Sequence, residues 1–148
     1  AAQLRAQLPV GLPLWSSPLQ RARVLAEALH PAPQFDPRLA EMDFGTWEGQ
    51  AWDAIGPRAL DAWAADIAGF RPPQGESGYE VQARALAWLA ERSEAELVVV
   101  THAGIKRALL AHWLALPPAR WLELRFAFGA VSSVRVDGDR VEMLRCGV

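Results

Sequence analysis

Residues 97–114, "LVVVTHAGIKRALLAHWL", constrain the fold more than any other stretch. A continuous apolar run rich in β-branched residues reads as a strand buried on both faces. Such strands belong to parallel sheets covered by helices on either side. The run ends at His102, and a helical pattern starts at once with Ala103 and Gly104. In open α/β sheets, ligands bind at the C-terminal ends of strands, near helix N-termini. The amides of a first helical turn are unsatisfied and favour an anion, and Gly104 lets one come close. A histidine at that place can donate a hydrogen bond to a phosphoryl oxygen. A histidine satisfied inside the structure is the competing reading.

The rest of the chain alternates in the same way. "AAQLRAQL" looks like the last turns of an amphipathic helix, and "GLPLWSS" reads as a short buried strand. "SPLQRARVLAEALHP" is a helix opened by Ser17 and Pro18, with Leu19, Val24, Leu25 and Leu29 expected toward the core. "APQFDPRLAEMDFGTWEG" is a loop with a short extended piece. "RALDAWAADIAG" is a helix ended by Gly69, followed by the surface loop "FRPPQGESG". "SGYEVQARALAWLAER" is a helix with a capping box, Ser77 as N-cap and Glu80 three residues on. Its inner stripe is Val81, Leu86 and Leu89, with Trp88 near the edge. "AVSSVRVDGDRVEMLR" reads as a β-hairpin turning at Asp137-Gly138-Asp139. Strands alternating with helices imply one three-layer α/β/α domain over residues 1–148, built around a mostly parallel sheet.

Composition narrows the function. The chain of 148 residues is 51% hydrophobic with a net charge of −2, which argues against nucleic-acid binding through bulk positive charge. Of its 15 cationic side chains only Lys106 is a lysine. Arginine forks suit phosphate and carboxylate, but genome base composition produces the same bias and is the weightier cause. Cys146 stands alone, so no internal disulfide forms, which fits a reducing compartment. No apolar run reaches membrane-spanning length. The expectation is a cytoplasmic protein with no membrane partner.

Two further stretches carry chemistry. In "WSSPLQRAR", Ser16 and Ser17 end a strand before a helix. Arg21 follows Ser17 by one helical turn, so its guanidinium can swing back to an anion at the strand ends. A solvated arginine is the bland alternative. In "LAEMDFGTWEG", Glu41, Asp43 and Glu48 crowd a loop with Phe44 and Trp47. A carboxylate pressed against aromatic surface can act as an acid. Asp43 and Glu48 are read as turn caps or arginine partners, and Glu41 is not.

"SSPLQRAR", "LAEMDFGTWEG", "PPQGESGYEVQAR" and "VVVTHAGIKRALL" resemble four successive blocks of the histidine phosphatase (phosphoglycerate mutase-like) superfamily, in the family's order. The wording of "EMDFGTWEGQAWDAI" is most similar to the α-ribazole phosphatase branch, which removes phosphate from α-ribazole 5′-phosphate in cobalamin assembly. The resemblance implies that Arg21 clamps phosphate and that His102 is the second pocket histidine. It implies that Glu41 protonates the leaving oxygen and then activates water. His102, Ala103 and Gly104 would bind phosphate, with Ser17, Glu76 and Ser77 at the pocket rim. Leu25 stands where many members carry threonine. The partner is a small phosphorylated substrate, with no metal or organic cofactor, and a homodimer is compatible.

The chain departs from the family at one point. It contains no Arg-His-Gly triplet, whose histidine is the family's nucleophile. His30 lies before Pro31 at a helix end, and His112 lies inside a helix. The chain reads as N-terminally truncated, its first strand missing, and therefore as inactive or severely impaired. The resemblance sets that strand between "LPLW" and "LVVV", which would leave a gap in the sheet. The alternatives are a non-catalytic module that binds phosphate or a partner, and an enzyme of the same class acting on sugar phosphates.

Overall fold

A computed structural model describes residues 2–137, 140–145 and 147. Three short strands form a parallel sheet: β1 (Leu14–Ser16), β2 (Gln34–Phe35) and β3 (Val98–Val100), in the order β2-β1-β3. Leu14 pairs with Val98, Trp15 with Val99 and Ser16 with Val100. The strands at "LPLW" and "LVVV" are thus direct neighbours, and the expected gap between them does not exist. Both are apolar on both faces, so nothing prevents them from closing on each other. Among the described residues the outer edges of both β2 and β3 are unpaired, and the β3 edge is the one beside His102. A separate antiparallel pair, β4 (Ser133–Asp137) and β5 (Arg140–Arg145), forms the hairpin. Its turn residues 138 and 139 lie outside the described residues, as does position 146.

The period-two alternation of the strands divides the core between two helical layers. Leu14, Val98 and Val100 face α2 (Gln20–Leu29), meeting Ala22, Ala26, Leu25 and Leu29. Trp15 and Val99 face α5 (Gly78–Ala90) and α6 (Ala103–Trp113), meeting Val81, Ala85, Trp88, Ile105 and Leu109. This is the three-layer α/β/α arrangement. The inner stripe of α2 differs from the expected one. Ala22 and Ala26 are buried while Val24 is 59% exposed, because α2 packs so close to the sheet that the i, i+4 alanines sit innermost. Trp88 is fully buried rather than at an edge, its ring meeting Trp15 edge-on. Two further helices, α3 (Trp52–Ile55) and α4 (Pro57–Ala65), follow the Glu41 loop, and one turn, α1 (Ala2–Arg5), opens the chain. No described helix is long and apolar enough to cross a membrane.

Candidate active site

Because β1 and β3 are paired in register, their C-terminal ends deliver Ser17 and His102 to the same level. The Ser17 amide extends the ladder by donating to the Val100 carbonyl at 3.0 Å. His102 is the N-cap residue of α6, in extended conformation, and its ring turns back to β1. Nε2 lies 2.7 Å from the Ser17 hydroxyl. That hydroxyl also accepts from the Leu19 amide at 3.2 Å. Ser17 is therefore not at a rim but wholly buried, as the partner of His102.

Glu41 reaches the same place from its loop. Its Oε1 accepts from the Met42 amide at 3.0 Å and the Gly104 amide at 3.1 Å. The helix terminus expected to receive phosphate thus already holds a carboxylate, which the α6 dipole favours equally well. Ala103 is exposed beside it. Gly104 is required by this seat, since a Cβ there would overlap Glu41 Oε1. Arg21 stands at the first turn of α2, exposed, and makes no hydrogen bond or ion pair among the described residues. Its charge and that of Glu41 both act on His102. Burial pushes the imidazole below its ordinary pKa, Glu41 pulls it back up, and Arg21 and Arg84 push it down again. The charges of Arg21 and Glu41 are thus both felt by His102 at the strand ends.

Glu76 and Ser77 are engaged with structural partners. Ser77 caps α5: its hydroxyl accepts from the Glu80 amide, and Glu80 accepts from the Ser77 amide at 2.8 Å. Glu76 is a strut, bound to Nε of Arg84 at 2.8 Å and to Nη2 at 2.9 Å, and it accepts from the Asp43 amide at 3.0 Å. Burial alone would raise the Glu76 pKa, but these bonds outweigh it and hold the carboxyl below its ordinary range. Arg84 also donates to the carbonyls of Arg38, Ala40 and Glu41 at 2.6, 2.9 and 3.2 Å. It fixes the backbone that carries Glu41, and sequence reasoning missed it. Its three carbonyl partners lie 43 to 46 residues away, so only the fold reveals them.

The loop beyond Glu41 is set by its own turns. Asp43 accepts from the Gly45 amide and Glu48 from the Phe44 amide, at 2.7 and 3.0 Å. Gly45 has φ +55° and is pressed against the Pro73 carbonyl, so no side chain fits there.

The other two histidines stand apart. His30 caps the far end of α2, where Nδ1 accepts from the Ala32 amide at 3.1 Å. His112 is ten residues beyond His102 on α6, about 15 Å along the helix axis.

A three-stranded parallel sheet flanked by helices, with His102 and Glu41 seated at the start of α6, places the chain among α/β domains. The sequence matches the histidine phosphatase superfamily (branch 1) over residues 1–148, and the chain belongs to that superfamily. A glucosyl-3-phosphoglycerate phosphatase of Mycolicibacterium vanbaalenii is 36% identical over 149 aligned positions, covering 84% of this chain and 65% of that protein. The chain thus spans just under two thirds of that relative's length. A solved mycobacterial glucosyl-3-phosphoglycerate phosphatase superposes with a TM-score of 0.82 at 29% identity, covering 99% of this chain and 82% of the other. A candidate α-ribazole-5′-P phosphatase of Escherichia coli superposes with a TM-score of 0.81, covering 99% and 79%, but at 23% identity it shares the fold alone.

Proposed function

We propose that the chain carries the phosphate pocket of a phosphomonoester hydrolase working through phosphohistidine. The reading is supported by the placement of Ser17 and His102 side by side where β1 and β3 end, with the charges of Arg21 and Glu41 both acting on His102. In the first step, an imidazole nitrogen attacks phosphorus and the P–O bond to the leaving group breaks. Glu41 gives its proton to the leaving oxygen. In the second, Glu41 takes a proton from water as that water attacks phosphorus. The P–N bond breaks and inorganic phosphate leaves. Arg21 and His102 hold the phosphoryl oxygens in both steps.

The attacking imidazole must stand beside His102, and neither His30 nor His112 does. We place it on a strand outside this chain, laid along the bare edge of β3 and ending next to His102. Residues 1–148 then form one domain short of its nucleophile, which binds phosphate but turns over poorly. The similarity to glucosyl-3-phosphoglycerate phosphatases supports a sugar-linked phosphoglycerate as substrate. The wording of residues 41–55 supports α-ribazole 5′-phosphate as the second reading.

The test compares this chain with a form extended upstream along its reading frame, each assayed on glucosyl-3-phosphoglycerate, α-ribazole 5′-phosphate and an aryl phosphate. Phosphate binding by both forms, with turnover in the extended one alone, is the expected result. Equal turnover by both would remove the missing-nucleophile reading. Failure of both to bind phosphate would remove the pocket itself.

A further inference from the structure

Arg107 stands one helical turn beyond Gly104 on α6 and shares its face. Helical side chains lean toward the helix N-terminus, which aims Arg107 at the end of α6 where Glu41 is seated. Burial lowers its pKa and the Glu41 charge works the other way. Nε and Nη2 both donate to the Leu124 carbonyl, at 3.2 and 3.1 Å, and the guanidinium carbon lies 5.9 Å from the centre of the Phe126 ring. Nη1 has no hydrogen bond among the described residues, yet it is not sealed from solvent. No ion pair neutralises this half-buried guanidinium among the described residues, although Arg38, Arg71, Arg84 and Arg120 each have one. Burial works against its charge. A partly desolvated cation with no carboxylate partner is costly to keep, and the contact with one carbonyl does not require a full charge.

The position of Glu41 says what the cation can meet. If Glu41 protonates the leaving oxygen, that oxygen lies at the Glu41 carboxylate. Whatever the leaving group carries next to it extends past Glu41, toward Arg107. We propose that Arg107 binds a second anionic group, a carboxylate on the leaving group, so that the preferred substrates are phosphomonoesters of hydroxy acids. This rests on the phosphatase reading above and deepens it. A phosphoglycerate ester has such a carboxylate, whereas α-ribazole 5′-phosphate has no anionic group besides its phosphate. Arg21 would hold the phosphoryl end and Arg107 the carboxylate end, with Glu41 between them.

Calorimetric titration of the 148-residue chain with three ligands tests this. Inorganic phosphate reports the phosphoryl site alone. 3-Phosphoglycerate adds the carboxylate, and glycerol 3-phosphate replaces that carboxylate with a hydroxymethyl group. The expected result is a preference of about tenfold for 3-phosphoglycerate over glycerol 3-phosphate, the scale of one charge-assisted hydrogen bond. Arg107→Gln keeps a donor for the Leu124 carbonyl and should abolish the preference, with phosphate affinity unchanged within about twofold. Arg107→Lys should keep part of it. Equal binding of the two organic phosphates by the unaltered chain, or a preference that survives in Arg107→Gln, overturns the assignment while leaving the phosphate site standing. No binding of inorganic phosphate by the unaltered chain overturns the phosphatase reading and this inference with it.

Discussion

The Ser17 hydroxyl lies 2.7 Å from Nε2 of His102, both side chains buried where β1 and β3 end side by side. The contact joins residues 85 apart and orients the ring. Ser17→Ala leaves the imidazole nitrogen unpaired and removes the acceptor used by the Leu19 amide. A loss of about 1–3 kcal/mol follows from one such buried orphan. Urea unfolding measures the loss, and the ring resonances of His102 should show mixed tautomers in the variant. An unchanged midpoint together with unchanged ring shifts would mean the hydroxyl does not orient the ring.

Acid should destabilise the protein through His102. Burial depresses the imidazole below its ordinary value of 6.5, with Arg21 and Arg84 adding to the effect against Glu41. The unfolded chain therefore binds this proton at a higher pH than the folded one. Above 6.5 both states are neutral and the group contributes no pH dependence. As pH falls below 6.5, stability is lost until the folded-state pKa is passed. Unfolding titrations from about pH 5 to 8 should show this slope, and His102→Gln should reduce it. The same slope in the variant would assign acid sensitivity to other groups.

Which parts of this site could be read from the sequence depends on how far apart the interacting residues are. The strand-to-helix passage at His102 was legible because a buried apolar run and a helical period meet within a few residues. The Ser77 capping box was legible for the same reason, since both partners lie within one turn. The Glu41 seat was not. A glycine after a histidine reads as room for phosphate, and nothing local says that a carboxylate 63 residues away takes the amide first. The bracing role of Arg84 was invisible because the carbonyls it holds belong to another loop. The buried face of α2 was misjudged because apolar bulk was taken as the inner stripe, whereas close packing put the alanines there. The strand order was misjudged because pairing of two apolar strands leaves no local trace.

Gly104→Ala should act as a mutation of Glu41. The added methyl overlaps Glu41 Oε1 and displaces a flexible side-chain end, so the fold should survive. In a turnover-competent form, Glu41→Gln should slow hydrolysis of an ester with a poor leaving group by about 10²–10⁴-fold. Gly104→Ala should approach that value, and the double variant should add little to either. A nitrophenyl ester needs little protonation, so its phosphorylation step should suffer less. Fully additive losses would show that the two residues act separately.

Arg84 should matter more to stability than its partly exposed surface suggests. It ties the Glu76 carboxylate to three carbonyls of the segment that carries Glu41. Arg84→Met leaves those acceptors and a carboxylate without their cation, a loss of about 3 kcal/mol at the lower end for a broken pair of this kind. Lysine cannot reproduce a fork that serves both sides at once, so Arg84→Lys should recover little. Hydrogen exchange should locate the loosening at residues 41–48. Native-like protection there in Arg84→Met would contradict the strut.

Binding a dianion should draw a proton onto His102. In the free protein, burial and two arginines, working against Glu41, hold the imidazole below its ordinary pKa. A dianion between Arg21 and the ring reverses the local field and favours the imidazolium, which then donates to it. Sulfate is the suitable probe, since it carries no proton that titrates near neutrality and phosphate does. At saturating sulfate the His102 titration midpoint, followed by its ring resonances, should rise. By linkage, sulfate should bind more tightly as pH falls through that midpoint. Arg21→Ala should weaken sulfate binding, whereas His102→Gln should remove the pH dependence of affinity. A midpoint unmoved by saturating sulfate would show that the anion does not sit against His102, and the shared pocket of Arg21, Glu41 and His102 would then have to be abandoned.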